Sequence, residues 1–171
     1  GTDLRWSNLS RVNLRNRNFR NRDLRGVNFS GADLTGANLT GADLTGVVFW
    51  WANLSRTDLR NRDFRNQDLR WVNLTGADMR NAKLSGADLS EAYLMEVNLQ
   101  GADMRTTDLR CTNLSGADLT GANLEGARRI NKAVFNNTTM PDGTTRKTSS
   151  GIIDKISEYC KIWISTNSEP D

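Results

Sequence analysis

The chain is expected to fold as an all-β solenoid, and three observations predict it. From Leu4 to Leu124 every fifth residue is Leu, Phe or Met, giving 25 consecutive pentapeptides in one register. The residue just before each of these is nearly always Asp or Asn. In the cleanest stretch, GADLTGANLTGADLT at residues 31–45, Leu and the Ala two places before it alternate with Asp or Asn and Thr, the period of a short strand with one face inward. A five-residue unit cannot fold by itself, so the apolar side chains must meet inside a stack of coils.

The elements follow in chain order. Gly31, Gly36, Gly41 and Gly46 close their pentapeptides where a corner needs an unusual φ. Arg17, Arg22, Arg62 and Gln67 break the pattern, because they hold the inward place that suits Ala, Val, Ser or Thr. Burying an unpaired guanidinium costs on the order of several kcal/mol. Either the coil is distorted at these arginines, or their side chains snorkel out past a neighbour. A second periodicity overlies the first: Trp6–Arg25 aligns with Trp51–Arg70 at an offset of 45, with 15 of 20 positions identical, which points to duplication of nine pentapeptides.

After Leu124 the register slips by one, Ile130, Phe135 and Met140 resume the spacing of five, and Pro141, Asp142 and Gly143 make a turn. The period then becomes helical. Ile152, Ile153, Ile156, Tyr159, Cys160, Trp163 and Ile164 share one face of an amphipathic helix, with Ser149 or Ser150 as its N-cap. Its expected task is to cover the open end of the stack beneath Leu109, Leu114, Leu119 and Leu124. The organisation expected is therefore a coil region at 2–128, a slipped partial coil and turn at 129–148, and a capping helix within 149–167. No cap precedes Thr2, so the first coil reads as an end-to-end homodimer contact or as the scar of a truncation.

Composition narrows the function. There is no histidine, the commonest general base and metal ligand, and no Gly-rich phosphate loop motif. Cys111 and Cys160 are too few for a disulfide framework and wrongly spaced for zinc, although they could pair with each other. No catalytic, cofactor or metal site is expected, and a filled column of Leu and Phe leaves no concave pocket for turnover. The net charge of +3 is uneven: residues 1–70 carry 12 basic and 7 acidic groups, residues 71–125 carry 4 and 8. No apolar run approaches the ~18 residues that cross a bilayer, and nothing at the start resembles a signal peptide. The expectation is a soluble chain, cytoplasmic by default, with the periplasm or thylakoid lumen open if a leader has been removed.

On the phased units from residue 2 to 128 the chain resembles the pentapeptide-repeat proteins, whose motif is a small residue, Asp or Asn, Leu or Phe, a small polar residue and a variable one. The stretch AVFNNTTMPDG, residues 133–143, resembles the closing segment of many bacterial and especially cyanobacterial members. The resemblance implies a right-handed parallel β-helix of square cross-section, four pentapeptides to a coil and about six coils, in which residues 20 apart stack. Leu34, Leu54, Leu74 and Leu94 should then lie one above another.

On that coil Trp51 and Trp71 stack at a corner, Trp50 lies beside Arg70 at cation-π range, and Tyr93 and Met95 continue the next face. Exposed Trp, Tyr, Met and Arg have the composition of a protein-binding hot spot, so these six residues are the candidate partner surface. Arg17, Arg20, Arg22, Arg25, Arg60, Arg62 and Arg65 form a candidate basic surface for a polyanion. Nucleic acid is disfavoured, because Asp two residues before many of the arginines neutralises them: Asp23 with Arg25, Asp58 with Arg60, Asp63 with Arg65, Asp68 with Arg70, Asp103 with Arg105, Asp108 with Arg110. The resemblance also brings in the quinolone-resistance proteins, which mimic duplex DNA and bind gyrase. Mimicry of that kind needs a strongly acidic face, and this chain has a pI of about 9.1. The expected role is a non-enzymatic scaffold presenting flat faces to an unknown protein partner.

Overall fold

The computed structural model describes residues 2–147 and 158–160. In most pentapeptides the residue before the large apolar one, usually Asp or Asn, forms a parallel bridge with the residue 20 places on, as in the column Asn13, Asp33, Asn53, Asn73, Tyr93, Asn113. Four pentapeptides therefore make one turn of a right-handed quadrilateral β-helix. Each rung has two hydrogen bonds: the Leu54 N–H donates to the Asn73 carbonyl at 2.7 Å, and the Asn73 N–H to the Ala52 carbonyl at 2.9 Å.

The five-residue period turns the chain through a local mechanism. The Val27 N–H donates to the Leu24 carbonyl at 3.0 Å, closing a four-residue corner, and Gly26 within it has a φ of +68°. That conformation suits Gly or Asn. At Gly26 there is a second reason for glycine, since the Trp6 ring lies over it and an added Cβ would fall 2.0 Å from a ring carbon. The Asp or Asn before the large apolar residue secures the other side of the corner. Asn53 Oδ1 accepts the Ser55 N–H at 3.1 Å, and Asp118 Oδ1 accepts the Thr120 N–H at 2.9 Å.

Inside, Leu34, Leu54, Leu74 and Leu94 are buried in one column beside buried Ala and Val. Phe29 and Phe49 stack within the lumen at 5.9 Å between ring centres, and Phe64 meets Phe49 edge-on at 6.3 Å. Leu4, Leu9 and Leu14 of the first coil are only partly buried.

The slip after Leu124 is one extra residue in the wall. The offset is 20 at Asp108↔Arg128 and 21 at Asn113↔Val134 and Asp118↔Thr139. The additional residue is taken up by Arg129, left-handed at φ +53°, and a single 3-10 turn, Ile130–Lys132. Strand β1, Thr138–Thr139, then pairs antiparallel with β2, Thr145–Arg146, around the turn at Pro141, Asp142 and Gly143. Of the capping helix expected within 149–167, residues 158–160 are helical and the remainder lies outside the described residues. Cys160 is disulfide-bonded to Cys111 in the wall.

Between residues 43–50 and 63–68 the wall is open. The Asn38↔Asp58 bridge is followed by Asn53↔Asn73, and among the described residues the intervening rungs, Asp43 with Asp63 and Val48 with Asp68, are not formed. Arg62 and Gln67 cause the gap. Arg62 was expected either to distort the coil or to snorkel out past a neighbour, and it distorts the coil. Its Nη1 donates to the Ala42 carbonyl and its Nε to the Arg60 carbonyl, both at 3.2 Å. Gln67 Nε2 reaches the Leu44 carbonyl at 3.3 Å. Two long polar side chains thus wedge between coils where Ala and Val would let the backbones close. Arg22 behaves similarly, donating to the Thr2 carbonyl, whereas Arg17 emerges exposed.

Candidate functional site

The gap leaves a cleft of about 770 Å³ between the strand at 43–50 and the strand at 63–68. Thr45, Val47, Val48, Trp50, Asp63 and Gln67 are among its walls. This corrects the expectation of a column with no concavity: packing of the Leu and Phe lumen is kept, and the opening lies in the backbone ladder outside it. Two buried polar atoms in the cleft walls, Trp50 Nε1 and Gln67 Oε1, have no hydrogen-bond partner. Asp63 on the lip is held below the usual carboxylate range, mainly by its hydrogen bond from Arg65.

Trp50 also belongs to the corner beside the cleft. Arg70 lies between two indoles, 4.9 Å from the Trp50 ring centre and 5.3 Å from that of Trp71, while its Nη2 holds Asp68 at 2.7 Å. Trp71 stacks on Trp51 at 5.2 Å with ring planes 14° apart. Trp51 is 61% exposed and Tyr93, on the following face, 52%; Trp50, Trp71 and Met95 are half-buried. The six expected residues are therefore brought to one corner and the adjoining face.

The backbone of this corner is costly. Trp51, Trp71, Glu91 and Cys111 stand 20 apart and all have positive φ, from 56° to 62°. The left-handed conformation costs a side-chain-bearing residue roughly 1–2 kcal/mol, and elsewhere most such places hold Gly or Asn. Glu91 was not singled out in the sequence, yet it is 6% exposed below Trp71. Burial pushes its carboxyl above the ordinary value, with the Trp71 indole N–H and the Arg110 charge opposing the shift. The signal that would have found it is its place in the Trp51 and Trp71 column.

The candidate basic surface is largely closed on itself. Arg25, Arg60 and Arg65 each hold the aspartate two residues before them at 2.6 Å, and Arg5 and Arg80 do the same. Arg20 is exposed near these pairs, while Arg22 and Arg62 turn to backbone carbonyls. One expected pair is different: Arg129, brought in by the register slip, takes the Asp108 carboxylate. Arg110 gives Asp108 its backbone N–H, at 3.1 Å, and its charge lies near Glu91.

The fold has relatives among solved structures. A trypsin-treated variant of QnrB1, a plasmid-mediated fluoroquinolone resistance protein, is 20% identical over 92% of this chain and 91% of its own, with a TM-score of 0.52. This likeness shows the fold alone. Rfr23 from the cyanobacterium Cyanothece 51142 is 28% identical over 80% of this chain and 89% of its own, with a TM-score of 0.43. HetL from the cyanobacterium Nostoc, involved in heterocyst differentiation regulation, is 28% identical over 81% and 78%, with a TM-score of 0.32. No curated protein matches the chain. The model of the pentapeptide repeats matches eight copies, at residues 18–50, 52–90, 73–110 and 87–126, and the chain belongs to that family.

Proposed function

We propose that the protein is a non-enzymatic interaction module whose corner at Trp50, Trp51, Arg70 and Trp71, with Tyr93 and Met95 beside it, receives a partner protein. The observation that supports this most is the strained, exposed aromatic stack. Gly or Asn at 51 and 71 would fold the same corner with less backbone strain, yet the chain holds two tryptophans there and clamps Arg70 between indoles. Aromatic and arginine side chains of this kind anchor protein interfaces, where they bury a large area with few rotatable bonds. The paired arginines favour this reading over polyanion binding, since each aspartate held at 2.6 Å cancels charge that a phosphate backbone would need.

The test is quantitative affinity capture from cells that express the protein, with wild type compared with a Trp51→Ala, Trp71→Ala variant shown to remain folded. A partner whose recovery falls about tenfold or more in the variant, and which binds the purified wild type directly, supports the corner as the docking surface. Equal recovery of every partner by both proteins removes it.

A further inference from the structure

We propose that the breach between residues 43–50 and 63–68 is a binding site for a short extended peptide segment, which pairs with the unfilled rung at Val48 and Asp68. In every regular coil the N–H of the large apolar residue and the carbonyl of the small inward residue face the neighbouring coil. At the breach these groups belong to Phe49 and Val47 on one lip, and to the N–H and carbonyl of Asp68 on the other. None of these four is used in a backbone hydrogen bond across the gap. The next rung along is partly filled from within the chain, because the Ala42 carbonyl already accepts Arg62 Nη1.

Two facing edges that alternate donor and acceptor complement an extended main chain, the chemistry by which a strand is added to an open sheet edge. The cleft volume of about 770 Å³ is within the range that holds a ligand. Within its walls two buried polar atoms, Trp50 Nε1 and Gln67 Oε1, are without a hydrogen-bond partner. An apolar ligand would meet the Trp50 ring but leave the main-chain edges unpaired. A peptide meets both. Arg62 and Gln67 act as the wedges that hold the site open, and the proposal is separate from the outward stack of Trp51 and Trp71.

The test pans a displayed library of random heptapeptides on the wild-type protein and counter-selects on Arg62→Ala, Gln67→Ala, in which the coils can close. An enriched peptide is then synthesised, with and without N-methyl groups on its central amides, and titrated. Expected are binding to wild type, binding weakened about tenfold or more by N-methylation and by the double substitution, and retention by Trp51→Ala, Trp71→Ala. Amide hydrogen exchange of the free protein is the second measurement, with the Phe49 and Asp68 amides exchanging rapidly and becoming protected by the peptide. The proposal is overturned if those amides are already as protected as Leu54 in the free protein. It is equally overturned if no peptide depends on Arg62 and Gln67, or if N-methylation leaves affinity unchanged. Loss of the peptide in the Trp51 and Trp71 variant alone would assign it to the outward corner.

Discussion

Arg62 Nη1 donates to the Ala42 carbonyl at 3.2 Å, the oxygen that the Asp63 N–H would reach in a regular coil. In the regular coils that bond is formed by backbone alone, as in Asp43 N–H to the Arg22 carbonyl at 2.9 Å and Lys83 N–H to the Arg62 carbonyl at 2.9 Å. One side chain has replaced a rung, and its bulk has kept the next rung apart.

Removing the wedges should therefore stabilise the fold. Arg62→Ala with Gln67→Ala restores the residue type found above and below, Ala42 and Ala82 in one column and Val47 and Ala87 in the other. Each regained backbone bond contributes about 0.5–1.5 kcal/mol. The expected result is a higher urea midpoint than wild type. A midpoint below wild type would mean that the two side chains support the wall.

At Trp51, φ is +58° and the ring is mostly exposed. Trp51→Gly relieves the backbone and forfeits the stack on Trp71, two effects of about 1 kcal/mol each and opposite sign. Its stability should stay close to wild type. Trp51→Val loses the stack and keeps a β-branched residue in the left-handed region, so it should be less stable than Trp51→Gly by roughly 1–2 kcal/mol. Denaturation midpoints of the two variants decide the order.

Glu91 gives a pH signature. Its folded pKa is raised above the ordinary 4.5 by burial, so the stability linked to its neutral form is fully present below pH 4.5 and is lost as pH rises through the folded value. Glu91→Gln should remove that loss and raise the melting temperature at neutral pH relative to wild type. The acid limb should be unchanged. Asp63 and Asp118 have folded values below the ordinary 3.8, so their contribution is present above 3.8 and lost as pH falls through the folded values in both proteins. Melting temperature against pH for the two proteins is the measurement.

The bond between Cys111 and Cys160 joins residues 49 apart. Reduction, or Cys111→Ser with Cys160→Ser, should cost roughly 2–4 kcal/mol by freeing the unfolded chain. Melting with and without reductant tests this, and the double variant should show no response to reductant.

Leu34, Leu54, Leu74 and Leu94 show why the fold was so legible: a spacing of five with no exception admits one arrangement in which all of them leave water together. The aromatic corner followed once the coil length of 20 was granted. The cleft did not follow, because a residue letter at an inward place does not say whether the side chain escapes, as Arg17 does, or parts the coils, as Arg62 does. That outcome depends on which carbonyls are within reach. Glu91 stayed hidden for a related reason, since corner residues elsewhere in the chain are mostly exposed and the strand alternation assigns them no inner face. Arg129 could claim Asp108 only after the inserted residue had shifted the last partial coil.

The near-parallel indoles of Trp51 and Trp71, 5.2 Å apart, are close enough for their excited states to mix. Such a dimer of chromophores gives a paired positive and negative band in circular dichroism whose size depends steeply on ring separation and tilt. The protein thereby carries an optical gauge of the distance between two successive turns, next to the place where those turns are forced apart. Closure of the opening by Arg62→Ala with Gln67→Ala is expected to change that band pair, read without attaching a dye.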